Sequence, residues 1–124
     1  MKLLLYLALG GTAGTLARYG LQGLAQPSGA TFPTGTLTVN LLGALVLGFL
    51  MRYLLATGAV APELRAGLTI GFCGAFTTMS TFSYETVALL TDGELWRAGL
   101  YIAGTVAGSI AAIFAGIALA NRLL

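Results

Sequence analysis

Gly71-Phe72-Cys73-Gly74-Ala75-Phe76-Thr77-Thr78-Met79-Ser80-Thr81-Phe82-Ser83-Tyr84-Glu85 lies where an apolar helix is expected, and it is too polar for a plain one. Hydroxyls stand at Thr77, Thr78, Ser80, Thr81, Ser83 and Tyr84, just after the glycines Gly71 and Gly74. Lipid offers no partner to hydroxyls or to interrupted backbone. Such a segment faces protein, water or an ion. It points to a permeation path rather than an anchor.

The rest of the chain supplies the membrane context. Its 124 residues are 57% hydrophobic and 8% charged, and the mean hydropathy is +0.91. A soluble domain carries roughly 25% charged residues, so the class is an integral membrane protein, one domain over residues 1–124. The net charge of +2 comes from scattered Lys and Arg, which excludes the clustered basic patch that nucleic acid requires. With one cysteine, Cys73, and no histidine, neither an intrachain disulfide nor a Cys/His metal site can form. Lys2 followed by Leu3-Leu4-Leu5 resembles a signal start, but the apolar stretch continues to Ala17 without a small-residue cleavage site, so it reads as a first membrane helix.

Charges and turn residues mark four spans: about Leu3–Leu24, Thr36–Leu55, Leu64–Leu90 and Trp96–Ala120. Each is near the roughly 20 residues that cross a bilayer as a helix. Gln26-Pro27-Ser28-Gly29, the loop around Pro62, and Thr91-Asp92-Gly93-Glu94 separate them. Lys2, Arg52, Arg65 and Arg122 fall on the side of the termini, and Arg18 and Arg97 on the other. That bias specifies orientation weakly. Gly104, Gly108, Ala112, Gly116 and Ala120 form a smooth face on span four, and Gly10/Gly14 and Gly67/Gly71 do the same on spans one and three. Smooth faces let helices approach closely in lipid. Four short helices hardly enclose a polar path alone, so an oligomer is expected.

Four constellations can carry chemistry. In the third span, Gly71 and Gly74 are expected to unwind the helix, with Thr77-Thr78 stabilising freed backbone groups. Unwound carbonyls are ready cation ligands. Beyond the break, Met79 and Phe82 are three apart; they are either an ordinary packing pair or a wall where an anion lies against a ring's positive edge. Asn40, one turn after Thr36, is either helix–helix glue or an anion donor. Tyr101, Thr105 and Ser109, each four apart, either bond back to their own helix or pass an anion from donor to donor. Arg18 can draw anions into a vestibule or snorkel to the headgroups; Glu85 can orient a pore hydroxyl or cap the path. No catalytic set and no nucleotide-binding loop is present.

At these residues the chain resembles the Fluc/CrcB family of fluoride channels. Gly10-Gly11-x-x-Gly14-x-x-x-Arg18-Tyr19, Pro33-x-Gly35-Thr36-x-x-x-Asn40-x-x-Gly43, and the run from Gly71 to Glu85 carry the resemblance in order across all four spans. The resemblance implies an all-α membrane protein whose third helix is broken, packed as an antiparallel dual-topology homodimer in the cell inner membrane. It implies passive fluoride export through two pores per dimer, and a structural sodium ion at the dimer centre held by the Gly74 and Thr77 carbonyls. The implied pore residues are Asn40, Phe82, Tyr101, Thr105 and Ser109, with Thr36 and Ser80 as hydroxyl partners and Arg18 and Glu85 at charged positions. Met79 stands where the family has phenylalanine, which is expected to weaken the first aromatic site. Two alternatives remain: a small proton-coupled exporter, which would want a carboxylate in span one where none exists, and a non-transporting structural protein.

Overall fold

The computed structural model describes residues 1–124 and contains only helices and turns. Helix α1 (Lys2–Ala25) is the first pass of the chain along the helical bundle and α2 (Thr34–Thr57) the second. The third pass is composite: α3 (Pro62–Ala66), a π-helical segment (Gly67–Cys73), α4 (Gly74–Phe76), and, after a break, α5 (Met79–Thr91). Helix α6 (Leu95–Asn121) is the fourth. Of these, α2 and α6 are long and apolar enough to cross a membrane.

Side-chain contacts align the ends. Arg52 Nε donates to Asn121 Oδ1 at 2.6 Å, joining the last turns of α2 and α6. Arg97 pairs with Glu94 at 3.0 Å and donates to Thr31. The 26–33 and 92–94 turns therefore share one end, and both termini share the other with the turn after α2. That turn begins at Gly58, whose left-handed φ of 59° ends the helix and sends its N–H to the Leu54 carbonyl.

The break falls at Thr77 (φ −91°, ψ 160°) and Thr78 (φ −149°, ψ 114°). The expected unwinding at Gly71 and Gly74 does not occur: Gly71 lies in the π-helical segment and Gly74 keeps φ −63°, ψ −38°. Two local causes favour the threonines. A β-branched residue suits extended backbone. In addition, the Thr78 side chain accepts the Thr81 N–H at 3.3 Å, capping the helix that restarts.

Gly71 instead serves contact. A Cβ there would lie 2.9 Å from the Leu7 carbonyl oxygen. Opposite it, a Cβ on Gly10 or Gly14 would overlap the carbonyl of Gly67 or Phe72. Helix α1 thus packs backbone to backbone on the π-helical segment. The other large contact, between α2 and α6, uses the same device: a Cβ on Gly48 or Gly116 would run into the Ile113 or Leu45 carbonyl. The smooth face of α6 is used in part. Gly108 meets the Leu41 side chain, whereas Gly104 faces open space in this chain.

Only 24 of 124 residues are buried, and most large apolar side chains of α1 and α6 are exposed. A chain that hides so little of its apolar surface suits lipid or a partner rather than water.

These contacts predict a split among glycines. Gly116→Ala should destabilise the purified protein by about 1–3 kcal/mol through overpacking. Gly99→Ala, with nothing within 4 Å of its Cβ, should be neutral or slightly stabilising. Thermal melts in detergent check both; equal melting temperatures would contradict the packing account.

Candidate functional site: a polar cleft at the broken helix

Extended backbone at Thr77-Thr78 strands polar groups that a helix would pair. Asn40, on the buried face of α2, meets them. Its Nδ2 donates to the Thr78 carbonyl at 3.1 Å, and its Oδ1 accepts the Thr78 N–H at 2.8 Å. Asn40 is 8% exposed and Thr78 7%. The amide thus closes the break with a two-bond staple. An amide NH2 carries two hydrogens, and this staple uses one. The approach requires Gly43 one turn later, where a Cβ would collide with the Thr77 methyl.

The staple diverts bonds from the neighbouring carbonyls. In a continuous helix the Thr78 N–H would go to the Gly74 carbonyl; here it goes to Asn40. The Thr81 N–H would go to Thr77; here it goes to the Thr78 hydroxyl. Gly74 and Thr77 are therefore among the carbonyls released from helical bonding. They suit a hard cation that takes oxygen ligands. No group of three His, Cys, Asp or Glu lies together to hold a metal.

Around the staple lies a cleft of about 430 Å³. It brings together Asn40, Gly74, Thr77, Met79, Phe82, Thr105 and Ser109, with Val106, Ile110 and Ile113 as apolar wall. Its hydroxyls are unevenly paired. Thr69 and Thr77 of the cleft, like Thr12, Thr38, Thr57, Ser83, Thr86 and Thr91 outside it, donate to the carbonyl four residues back. Thr105 does not: its Oγ1 is buried with no partner. A buried hydroxyl without a bond is costly, so this one has a proton to give to a group entering the cleft.

A second cluster lies beyond Phe82. The Phe82 and Tyr101 rings pack at 5.1 Å between centroids. Tyr101, fully buried, donates to Glu85 Oε2 at 2.7 Å. Thr36, 1% exposed, donates to Glu85 Oε1 at 2.9 Å. Gln22 Nε2 donates in turn to Thr36 Oγ1 at 3.0 Å. Glu85 also lines a cleft of about 260 Å³ at the end that carries the 26–33 and 92–94 turns, with Gln22, Gln26, Asp92 and Glu94.

The structure sorts the sequence-derived set into these two groups. Asn40, Met79, Phe82, Thr105, Ser109, Gly74 and Thr77 line the central cleft, and Thr36, Tyr101 and Glu85 form the cluster behind it. Ser80 is exposed, 3.4 Å from the Thr78 hydroxyl, and lines neither cleft. Arg18 is half-buried and also lines neither. Met79 lines the cleft yet is 71% exposed, whereas Phe82 is 7% exposed. Gln22 and Gln26 lie outside the sequence-derived set. Their signal was present: two amides one turn apart at the end of an apolar span must find partners.

Comparison with known proteins gives the same direction. The family model described as CrcB-like protein, Camphor Resistance (CrcB), matches residues 5–117. A protein of Chlorobaculum tepidum named "Fluoride-specific ion channel FluC" is 50% identical over 122 residues, covering 98% of this chain and 96% of its own. One of Geobacter sulfurreducens with the same name is 47% identical over 124 residues, covering 99% and 100%.

The staple predicts a large cost on removal. Asn40→Ala leaves the buried Thr78 N–H and carbonyl both unpaired, at about 1–3 kcal/mol each. A loss of about 2–6 kcal/mol should appear as a lower melting temperature and faster amide exchange at Thr78. Unchanged exchange there would contradict the geometry.

Proposed function

We propose, since the chain belongs to the CrcB family, that it is a fluoride-specific ion channel of the membrane and not an enzyme. One observation carries the reading at the level of residues: the central cleft gathers hydrogen-bond donors without a positive charge. Thr105 offers a buried unpaired hydroxyl. Asn40 retains an amide hydrogen beyond its staple. Phe82 brings a ring whose edge is weakly positive. Such donors replace the water of a small, strongly hydrated anion without trapping it, and the apolar wall excludes the bulk water that would compete. Transport is passive. Hydrogen fluoride enters cells neutral and dissociates inside, and a negative-inside potential then drives fluoride out.

The path we infer runs from the central cleft past Phe82 and Tyr101 to Glu85 and the second cleft. Asn40, Met79, Phe82, Thr105 and Ser109 contact the ion first. Thr36, Tyr101 and Glu85 lie next along it, with Ser80 and Arg18 nearer its margins. The carboxylate of Glu85 accepts two hydroxyl bonds, which spreads its charge and limits its repulsion of a passing anion.

The functional unit we infer is a homodimer of four-pass subunits that together form one transmembrane domain each, inserted in opposite directions in the cell inner membrane. Support comes from the open side of the cleft: Val106 and Ile110 line it yet are 50% and 55% exposed. A second copy would complete that wall, giving two pores per dimer. The weak charge bias permits insertion both ways. A sodium ion at the centre of the dimer is part of the same reading. The Gly74 and Thr77 carbonyls, freed from helical bonding, suit it, and it would supply fixed positive charge that neutralises and cross-links the two breaks.

Liposomes loaded with potassium fluoride or chloride, clamped with a potassium ionophore and read by electrode, test the channel. Fast fluoride release without chloride release is expected; no fluoride release from folded protein would sink the reading. Met79→Phe, which supplies a second ring edge, should raise fluoride flux or apparent affinity several-fold. An unchanged Met79→Phe would show that position 79 does not contact the ion.

A further inference from the structure

Glu85 is held by two hydroxyls, and a hydroxyl has one proton to give. Whether Thr36 spends its proton on Glu85 depends on what occupies its lone pairs. Gln22 settles this. Its Nε2 can only donate, and it points at Thr36 Oγ1 at 3.0 Å. Thr36, 1% exposed, therefore directs its proton to Glu85 Oε1 at 2.9 Å. Donation onto a hydroxyl oxygen also strengthens the bond that hydroxyl gives.

The backbone holds Gln22 in place for this task. A Cβ on Gly35 would lie 2.4 Å from the Gln22 carbonyl oxygen, so α1 and α2 touch at this level. One turn on, Gln26 fastens the same junction. Its Nε2 donates to the Ala30 and Phe32 carbonyls at 3.1 Å, and its Oε1 accepts the Gly35 N–H at 3.0 Å. Gln26 is thus consumed by the loop, while Gln22 is free to serve Thr36.

We propose that Gln22 is a positioning residue for the ion path, acting through Thr36 to hold the Glu85 carboxylate in the orientation that a passing anion meets. The proposal rests on the channel reading above. With Gln22 in place, Thr36 stays committed to Oε1. Tyr101, bonded to Oε2 and packed on Phe82, is then the hydroxyl available to exchange between Glu85 and the ion. Without Gln22, Thr36 can rotate, Glu85 loses a fixed donor, and its uncompensated charge opposes the anion.

Gln22→Met keeps length and removes the donor; Gln22→Glu keeps shape and replaces the donor with an acceptor. Fluoride efflux from liposomes should slow about fivefold to tenfold in Gln22→Met, the scale of one lost neutral hydrogen bond, and further in Gln22→Glu. Thr36→Val combined with Gln22→Met should be no slower than Thr36→Val alone. Ser109→Ala combined with Gln22→Met should multiply the two effects, as separated sites do. A wild-type rate in Gln22→Met, or equal multiplication with both partners, overturns the proposal. Should Gln22→Met fail to elute as folded protein, Gln22→Glu carries the same cycle. A second readout does not need conduction: the Glu85 carboxylate infrared band, isolated by subtracting Glu85→Gln, should shift in Gln22→Met. An unmoved band overturns the proposal, whereas absent fluoride release by the wild type overturns only the channel reading.

Discussion

Backbone that leaves helical geometry at membrane depth must find every lost hydrogen bond inside the protein. The Asn40–Thr78 staple meets that demand for Thr78 itself, and much of the site depends on it. It allows two consecutive residues to run extended in the middle of a pass. It turns the Thr78 N–H away from Gly74 and so frees a carbonyl. It also ties the broken pass to α2, which brings Thr105 and Ser109 of α6 to the same cleft, since α2 and α6 share one of the two large contacts of the fold. Helix glue and ion donor, two roles sequence alone left open for Asn40, are compatible because an amide nitrogen has two hydrogens.

Such a staple needs a rigid frame, and glycine provides it. The break lies on a pass whose first half is pressed against α1 through Gly10, Gly14, Gly67 and Gly71, with backbone oxygens where side chains would stand. Small residues replace the hydrophobic effect as the source of helix association, since lipid is as apolar as the helices. The π-helical segment belongs to the same contact: its wider turn places Gly67, Gly71 and Phe72 along α1.

Much of this was legible in sequence, for physical reasons. Hydroxyls clustered just after two glycines in an apolar span point to a break or a path, so the third pass stood out in the sequence. The position of the break was less legible. Gly71 and Gly74 suggested it through conformational freedom, but glycine in a membrane serves contact as readily as flexibility. The threonines broke the helix because a cap and a partner amide were waiting, and the amide is 38 residues away. Ser80 failed to join the cleft because α5 turns it outward. Gln22 was hidden for another reason. Its partner Thr36 lies across a turn whose geometry no spacing reveals, so only the fold shows that the two meet.

A carboxylate beside the anion path proposed above looks like a contradiction, and its surroundings resolve it. Glu85 has two oxygens, and each accepts a hydroxyl, from Thr36 and from Tyr101. Those hydroxyls are held by a glutamine on one side and by ring packing against Phe82 on the other. The charge is therefore not presented bare. On the path proposed above it would act as an acceptor that keeps two donors poised, where a fluoride ion could compete for one of them. Removing the carboxylate would free the donors to bond each other or their own helices. Keeping it holds them in place beside the proposed path, at the cost of a repulsion that the hydroxyl bonds reduce.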